Sequence, residues 1–113
     1  MTKYSKYKSK KTTVDGFKFD SKKEANRYQE LKALQREGRI TGLCMQVPFV
    51  LQDAYIRVDG KRIRAIKYIA DFVYKDADGN IHVEDVKGMR TAVYNLKKKI
   101  FEKRYKIKIE EVK

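Results

Sequence analysis

The sequence predicts an α/β domain in which helices flank one mixed sheet, in the order helix, three strands, helix, strand. Three observations carry this expectation. A capped helical stripe fills residues 21–37, extended runs joined by turns occupy residues 42–87, and a second capped helical stretch precedes an alternating C-terminal run. A chain of 113 residues suits a single domain with a modest core.

Residues 1–12 read as a basic arm, with Lys3, Lys6, Lys8, Lys10 and Lys11 interleaved with Tyr4 and Tyr7. Such a segment either contacts phosphates and stacks on bases or serves as a solubilising tail. The domain proper spans residues 13–113. It is entered through TTVDGFKF, a hairpin whose Asp15-Gly16 pair supplies the positive φ angles of a two-residue turn. The first helix opens with the capping pattern Ser21-x-x-Glu24 and closes at Gly38, and Glu24, Tyr28, Leu31 and Leu34 form its inward stripe.

GLCMQVPFVL is the first of the three strands, and Pro48 assigns it to an edge or a bulge. A polar stretch with a turn at Asp59-Gly60 leads to RAIKYIADFVY, DADGN reverses the chain, and IHVEDVK returns. DADGN lacks the later acids of a calcium loop and is read as a turn. Thr91 caps a second helix reaching about Lys103, with an apolar stripe of Val93, Leu96, Ile100 and Phe101. YKIKIEEVK closes the chain as a strand.

Charge bounds the partner. Lys and Arg number 28 against 15 Asp and Glu, a net charge of +13 that favours a polyanion through counterion release. Nucleic acid fits better than a membrane, because no basic helix carries a continuous Trp- or Phe-rich face and no apolar run approaches the ~20 residues of a span. The basic start is followed by no apolar core, so no signal peptide is expected. Cys44 is the only cysteine, which excludes an internal disulfide or a cysteine-based zinc site and suits a reducing cytoplasm. Cys44 is expected as core filler, and the sole histidine, His82, as a structural residue.

Three charged residues break the strand pattern. Period-two geometry places Asp71 on the face of Ile69 and Val73, and it places Asp85 and Lys87 on the face of Ile81 and Val83. A short turn makes these two strands antiparallel neighbours, so Asp71 approaches Asp85. Two carboxylates together must take up a proton or share a cation. Oxygen-only ligands in small number suit Mg²⁺ or Mn²⁺, and an ammonium beside the cation could activate water or offset charge at a phosphate. An incidental ion pair on a half-exposed strand is the plainer alternative.

An acid, then an acid-x-Lys triplet on the following strand, with a helical Glu upstream, resembles the PD-(D/E)XK nuclease superfamily. More narrowly, FDSKKEANRY, YIADFVY and VEDVKG resemble a small phage-type endonuclease group similar to phage endonuclease I and other Holliday-junction resolvases. The resemblance covers roughly residues 12–105. It departs from the usual pattern in two ways: no Pro precedes Asp71, and the triplet is DVK.

The resemblance implies a restriction-endonuclease-like core and Mg²⁺-dependent hydrolysis of DNA phosphodiester bonds, on branched or Holliday-junction DNA in phage recombination or packaging. Cleavage would occur in the cytoplasm of a bacterial host, and paired cuts would require a homodimer. Asp71 and Asp85 match the metal-binding carboxylates, Lys87 the catalytic lysine, and the Val86 carbonyl an additional ligand. Glu24 matches the helical acid, although it also completes a capping box. Glu84 points to the opposite strand face and is read as structural. Lys10, Lys11, Gln46, Arg90, Thr91, Lys97 and Lys98 are the expected DNA contacts; for Lys97 the plainer reading is a snorkelling side chain, and for Gln46 a strand-edge polar residue. Two rivals are a non-catalytic basic protein that coats nucleic acid and a nuclease of linear DNA of restriction or repair type.

Overall fold

The computed structural model describes residues 11–86 and 90–113. Its first element is the expected hairpin, β1 (Thr12–Val14) against β2 (Phe17–Phe19). Asp15 at φ 53° and Gly16 at φ 82° both take the left-handed conformation that a two-residue turn demands. Helix α1 (Lys22–Arg36) follows, with the Ser21 hydroxyl accepting from the Glu24 N–H at 3.1 Å and Gly38 at φ 80° just past its end.

The central sheet has the order β3-β6-β7-β8, formed by β3 (Ile40–Gln52), β6 (Ile66–Asp76), β7 (Ile81–Val86) and β8 (Ile109–Val112). Its first three strands are antiparallel. Helix α2 (Ala92–Tyr105), capped by Thr91, is the crossover that makes β8 parallel to β7, so the sheet is mixed as expected. Pro48 lies on β3, an edge strand, where a missing N–H is tolerated. Between β3 and β6 the chain makes a separate hairpin, β4 (Tyr55–Ile56) with β5 (Arg62–Ile63), which the sequence marked only by its turn.

The helices cover opposite faces. On β7, Val83 packs in the cluster of Tyr94 and Phe101 from α2, while its neighbour Glu84 accepts from Arg27 of α1. The α1 cluster holds Phe19, Ala25, Tyr28, Leu31, Ile40, Phe72 and Tyr74, and the α2 cluster adds Leu51, Tyr68, Ala70 and Ile109. Burying an aromatic such as Phe101, fully enclosed here, contributes on the order of 2–3 kcal/mol.

Several expectations about inward faces are corrected. Val93 (62%), Leu96 (60%) and Ile100 (38%) are exposed, and of the expected α2 stripe only Phe101 is buried. The larger rings of Tyr94, Phe101 and Tyr105, at spacings of seven and four, turn that face inward instead. Cys44 is exposed rather than core, because Leu43 and Met45 on either side pack on the α1 cluster and direct it to the opposite face. Ile69 is also exposed, so Asp71 does not share a buried face with it, whereas on β7 only Ile81 at the strand's start is exposed and Asp85 is buried on the same face as Val83, as expected.

The reason lies in β6. Tyr68 and Ala70 belong to the α2 cluster, yet Phe72 and Tyr74, which have the same parity, belong to the α1 cluster. The strand therefore reverses its inward face at Asp71. Its neighbour β3 reverses with it: Leu43 and Met45 pack toward α1, Phe49 and Leu51 toward α2, and Gln46 between them has φ 52°. Among the described residues no helix is long and apolar enough to cross a membrane.

Candidate active site

The reversal coincides with an opening in the sheet. Strands β6 and β7 pair from Lys75↔Ile81 to Phe72↔Glu84, after which Asp85 and Val86 pair only with Glu111 and Val112 of β8. The Asp71 carboxylate fills the gap by accepting from the Val86 N–H at 2.7 Å. On the α2 side the buried Tyr68 hydroxyl donates to Asp85 Oδ2 at 2.6 Å. Asp71 is thus tied to the residue after Asp85, and Asp85 to the residue three before Asp71. Burial pushes the Tyr68 hydroxyl far above the ordinary phenol range, reinforced by its bond to Asp85 and by the negative charges of Asp85 and Asp71. It remains a donor.

A third acid arrives from α1. Glu24 is only 6% exposed, and its Oε2 accepts from Gln46 Nε2 at 2.9 Å. The same amide nitrogen lies 3.3 Å from Asp71 Oδ1. One amide group therefore bridges two carboxylates that would otherwise repel. Ser21 caps the helix through the Glu24 backbone, which leaves the Glu24 side chain to this inward role. Gln46 is more central than its position near Pro48 suggested, and its left-handed backbone is the kind of strain that persists where surrounding contacts over-determine it.

Two clefts flank the acids. One, of about 290 Å³, is bordered by Glu24, Gln46, Phe17, Lys18 and Met45. The other, of about 260 Å³, is bordered by Asp85, Tyr68, Lys67, Thr91, Tyr94 and Lys97. Lys97 faces this second cleft from α2, and its half-buried position follows from the aromatic face of that helix. Lys87 and Lys10 lie outside the described residues.

The remaining expected contacts have structural ties. Arg90 meets Glu111 at 2.5 Å, Lys98 meets the same carboxylate at 3.3 Å, and the Thr91 hydroxyl accepts from the Tyr94 N–H. Lys11 lies 3.9 Å from Asp20 at the surface. Glu84 is a buried anchor: it accepts from Arg27 Nε at 2.8 Å and Nη2 at 2.6 Å and from the Tyr74 hydroxyl. That bidentate pairing holds the Arg27 guanidinium well above its ordinary pKa.

Tyr68, Tyr94 and Glu111 were not singled out from the sequence. Tyr94 donates to Glu111 at 2.7 Å, which, with Lys98 and Arg90, holds the Glu111 carboxyl below the usual range. A tyrosine in an apolar strand or helix reads as core, and only its hydroxyl partner distinguishes it. The acid-x3-Tyr spacing of Glu24 and Tyr28, by contrast, leads elsewhere, to a Tyr28 bond with Asp15 at 2.9 Å.

Among the described residues no three acidic, histidine or cysteine side chains form a ready-made metal cage. The oxygen donors present are the carboxylates of Asp71, Asp85 and Glu24, and carboxylate oxygens suit Mg²⁺, which uses one or two of them and completes its shell with water and phosphate. Residues 4–112 match a family described as a protein of unknown function (DUF1064), and the chain belongs to that family. No curated protein and no solved structure matches the chain.

Proposed function

We propose that this DUF1064 member is a metal-dependent DNA endonuclease with a restriction-endonuclease-like core, hydrolysing phosphodiester bonds in branched DNA. The observation that carries the reading is the opened strand pair. Where β6 leaves β7 the Asp71 carboxylate accepts from the N–H of Val86, the residue after the buried Asp85, and Gln46 joins Asp71 to Glu24. An acid pair placed at a break in hydrogen bonding, between two clefts and on a chain of net charge +13, is expensive as architecture alone.

Asp71 and Asp85 would hold Mg²⁺ or Mn²⁺, with the Val86 carbonyl and Glu24 as additional oxygen donors. The cation supplies Lewis-acid polarisation of the phosphate and a more acidic water. Tyr68 orients Asp85, and Gln46 orients Asp71 and Glu24. Lys67 and Lys97 bring positive charge to the cleft beside Asp85, where a phosphate would lie. Lys87, two residues after Asp85, is the amine that offsets developing charge. The branched substrate, the homodimer and action in a host cytoplasm follow from the family resemblance.

The purified chain should cut a four-way junction in Mg²⁺. Asp71→Asn and Lys87→Ala should each abolish cutting and leave DNA binding in place. Cutting that persists in both variants removes the assignment. A coating protein would instead bind junction and linear duplex without cutting either, and titration with Mn²⁺ would show no site lost in Asp71→Asn.

A further inference from the structure

We infer that the β4–β5 hairpin is a basic ribbon that lies in a groove of duplex nucleic acid beside the candidate site. A two-stranded ribbon this short has no core of its own, so its shape must come from its turn and its base. At the tip, Gly60 (φ 90°) donates its N–H to the Arg57 carbonyl at 2.7 Å, and the Arg57 N–H donates to the Lys61 carbonyl at 2.8 Å. Asp59 braces the loop through Arg57 at 2.7 Å and the Lys61 N–H at 3.2 Å. At the base, Arg104 and Tyr105 of α2 donate to the carbonyls of Leu51 and Val50 at 2.9 and 2.7 Å. The turn of the ribbon and the end of β3 that leads into it are therefore both tied down.

Its surface selects the partner. Ile56 is 68% exposed, Val58 at the tip is fully exposed, and Tyr55 is half exposed. Beside them are Arg57, Lys61, Arg62 and Arg64, against which Asp59 is the single acid between Tyr55 and Lys67, already bonded within the turn. Apolar side chains at the tip with cations along the strands match a groove, where phosphates line the rims and base edges the floor. A second copy of the chain is the wrong partner, since it would bring like charge against like.

The ribbon also has the right reach. After β5 the chain passes through Arg64 and Ala65 into Ile66, Lys67 and Tyr68 of β6, and Lys67 borders the cleft that contains Asp85. Five residue steps along β6 lead from Ile66 to Asp71, about 17 Å of strand, or roughly five base-pair steps. Ribbon contacts are therefore expected roughly five or more base pairs from the scissile bond. The inference rests on the proposed function for the nature of the partner, but not on cleavage.

Anisotropy titrations of the full chain on linear duplex and four-way junction, without divalent metal and over a range of salt, test it. Arg62→Ala/Arg64→Ala should lower the slope of log affinity against log salt by up to about 1.8 and weaken binding about tenfold or more. The charge-matched control Arg39→Ala/Lys75→Ala, at the end of the β3–β6 pair remote from the ribbon, should do much less. Ile56→Ser/Val58→Ser should weaken binding with the slope retained. Equal losses in the ribbon and control pairs overturn the inference. So does unchanged DNA affinity in ribbon variants that convert a dimer to a monomer in sedimentation. Ribbon-dependent binding by a chain that never cuts sustains the inference and removes the nuclease reading, and cutting with ribbon-independent affinity does the reverse.

Discussion

Replacing Arg27 by Met isolates the contact that ties α1 to the strand carrying Asp85. Glu84 is 1% exposed and receives two guanidinium hydrogen bonds at 2.8 and 2.6 Å, so the substitution strands a carboxylate in the core. Removing one partner of a buried pair costs about 3–5 kcal/mol. The lower end applies, because the Arg27 side chain is 23% exposed and the Tyr74 hydroxyl still donates to Glu84. A loss of about 3 kcal/mol corresponds to a fall in Tm of about 12 °C for a domain of this size. Urea unfolding of wild type, Arg27→Met, Glu84→Leu and the double variant measures it. The double variant should recover most of the loss, since two apolar side chains leave no stranded charge. An Arg27→Met loss below about 1 kcal/mol, or a double variant worse than the sum of the singles, would refute the reasoning.

Tyr68→Phe removes the donor that orients Asp85, and should weaken Mn²⁺ binding by about 10- to 100-fold in calorimetry at a stability cost of about 1–2 kcal/mol; unchanged Mn²⁺ affinity would remove its positioning role. Gln46→Glu sets a third carboxylate between Glu24 and Asp71. Its destabilisation, on the order of 1–2 kcal/mol near pH 8 without metal, should shrink as the pH falls and the new carboxyl takes up a proton, visible as converging melting curves. His82 lies between Asp76 at 2.8 Å and Glu110 at 2.6 Å and stacks on Tyr74, and its bond to Asp76, opposed by burial and reinforced by Glu110, raises its pKa above 6.5. The stability it contributes is complete below its unfolded pKa and is lost as the pH rises through its folded pKa. The Tm gap between wild type and His82→Gln should therefore be widest near pH 6 and narrow on raising the pH, and a gap that widens would contradict this geometry.

The local syntax of the chain was legible without coordinates. Asp15-Gly16, Ser21-x-x-Glu24, Gly38, Thr91 and the DADGN turn act through bonds to residues a few positions away, and the element order α1, β3, β6, β7, α2, β8 followed from them. Glu24 and the Asp71/Asp85 pair were conspicuous because charge in an apolar pattern is costly wherever the chain folds. Other features depended on distant neighbours. The face of α2 was misassigned because aliphatic spacing cannot weigh Val93 and Leu96 against the larger rings of Tyr94 and Phe101, and because the sheet determines which face it meets. The bridging role of Gln46, the Tyr68 bond to Asp85 and the reversal of β6 at Asp71 all arise where two strands part. Sequence alone determined the turns, caps and candidate charges, since these are set by adjacent residues. Tertiary structure decided which charges meet, because a side chain's partner across a sheet depends on register and twist contributed by strands far away in the chain.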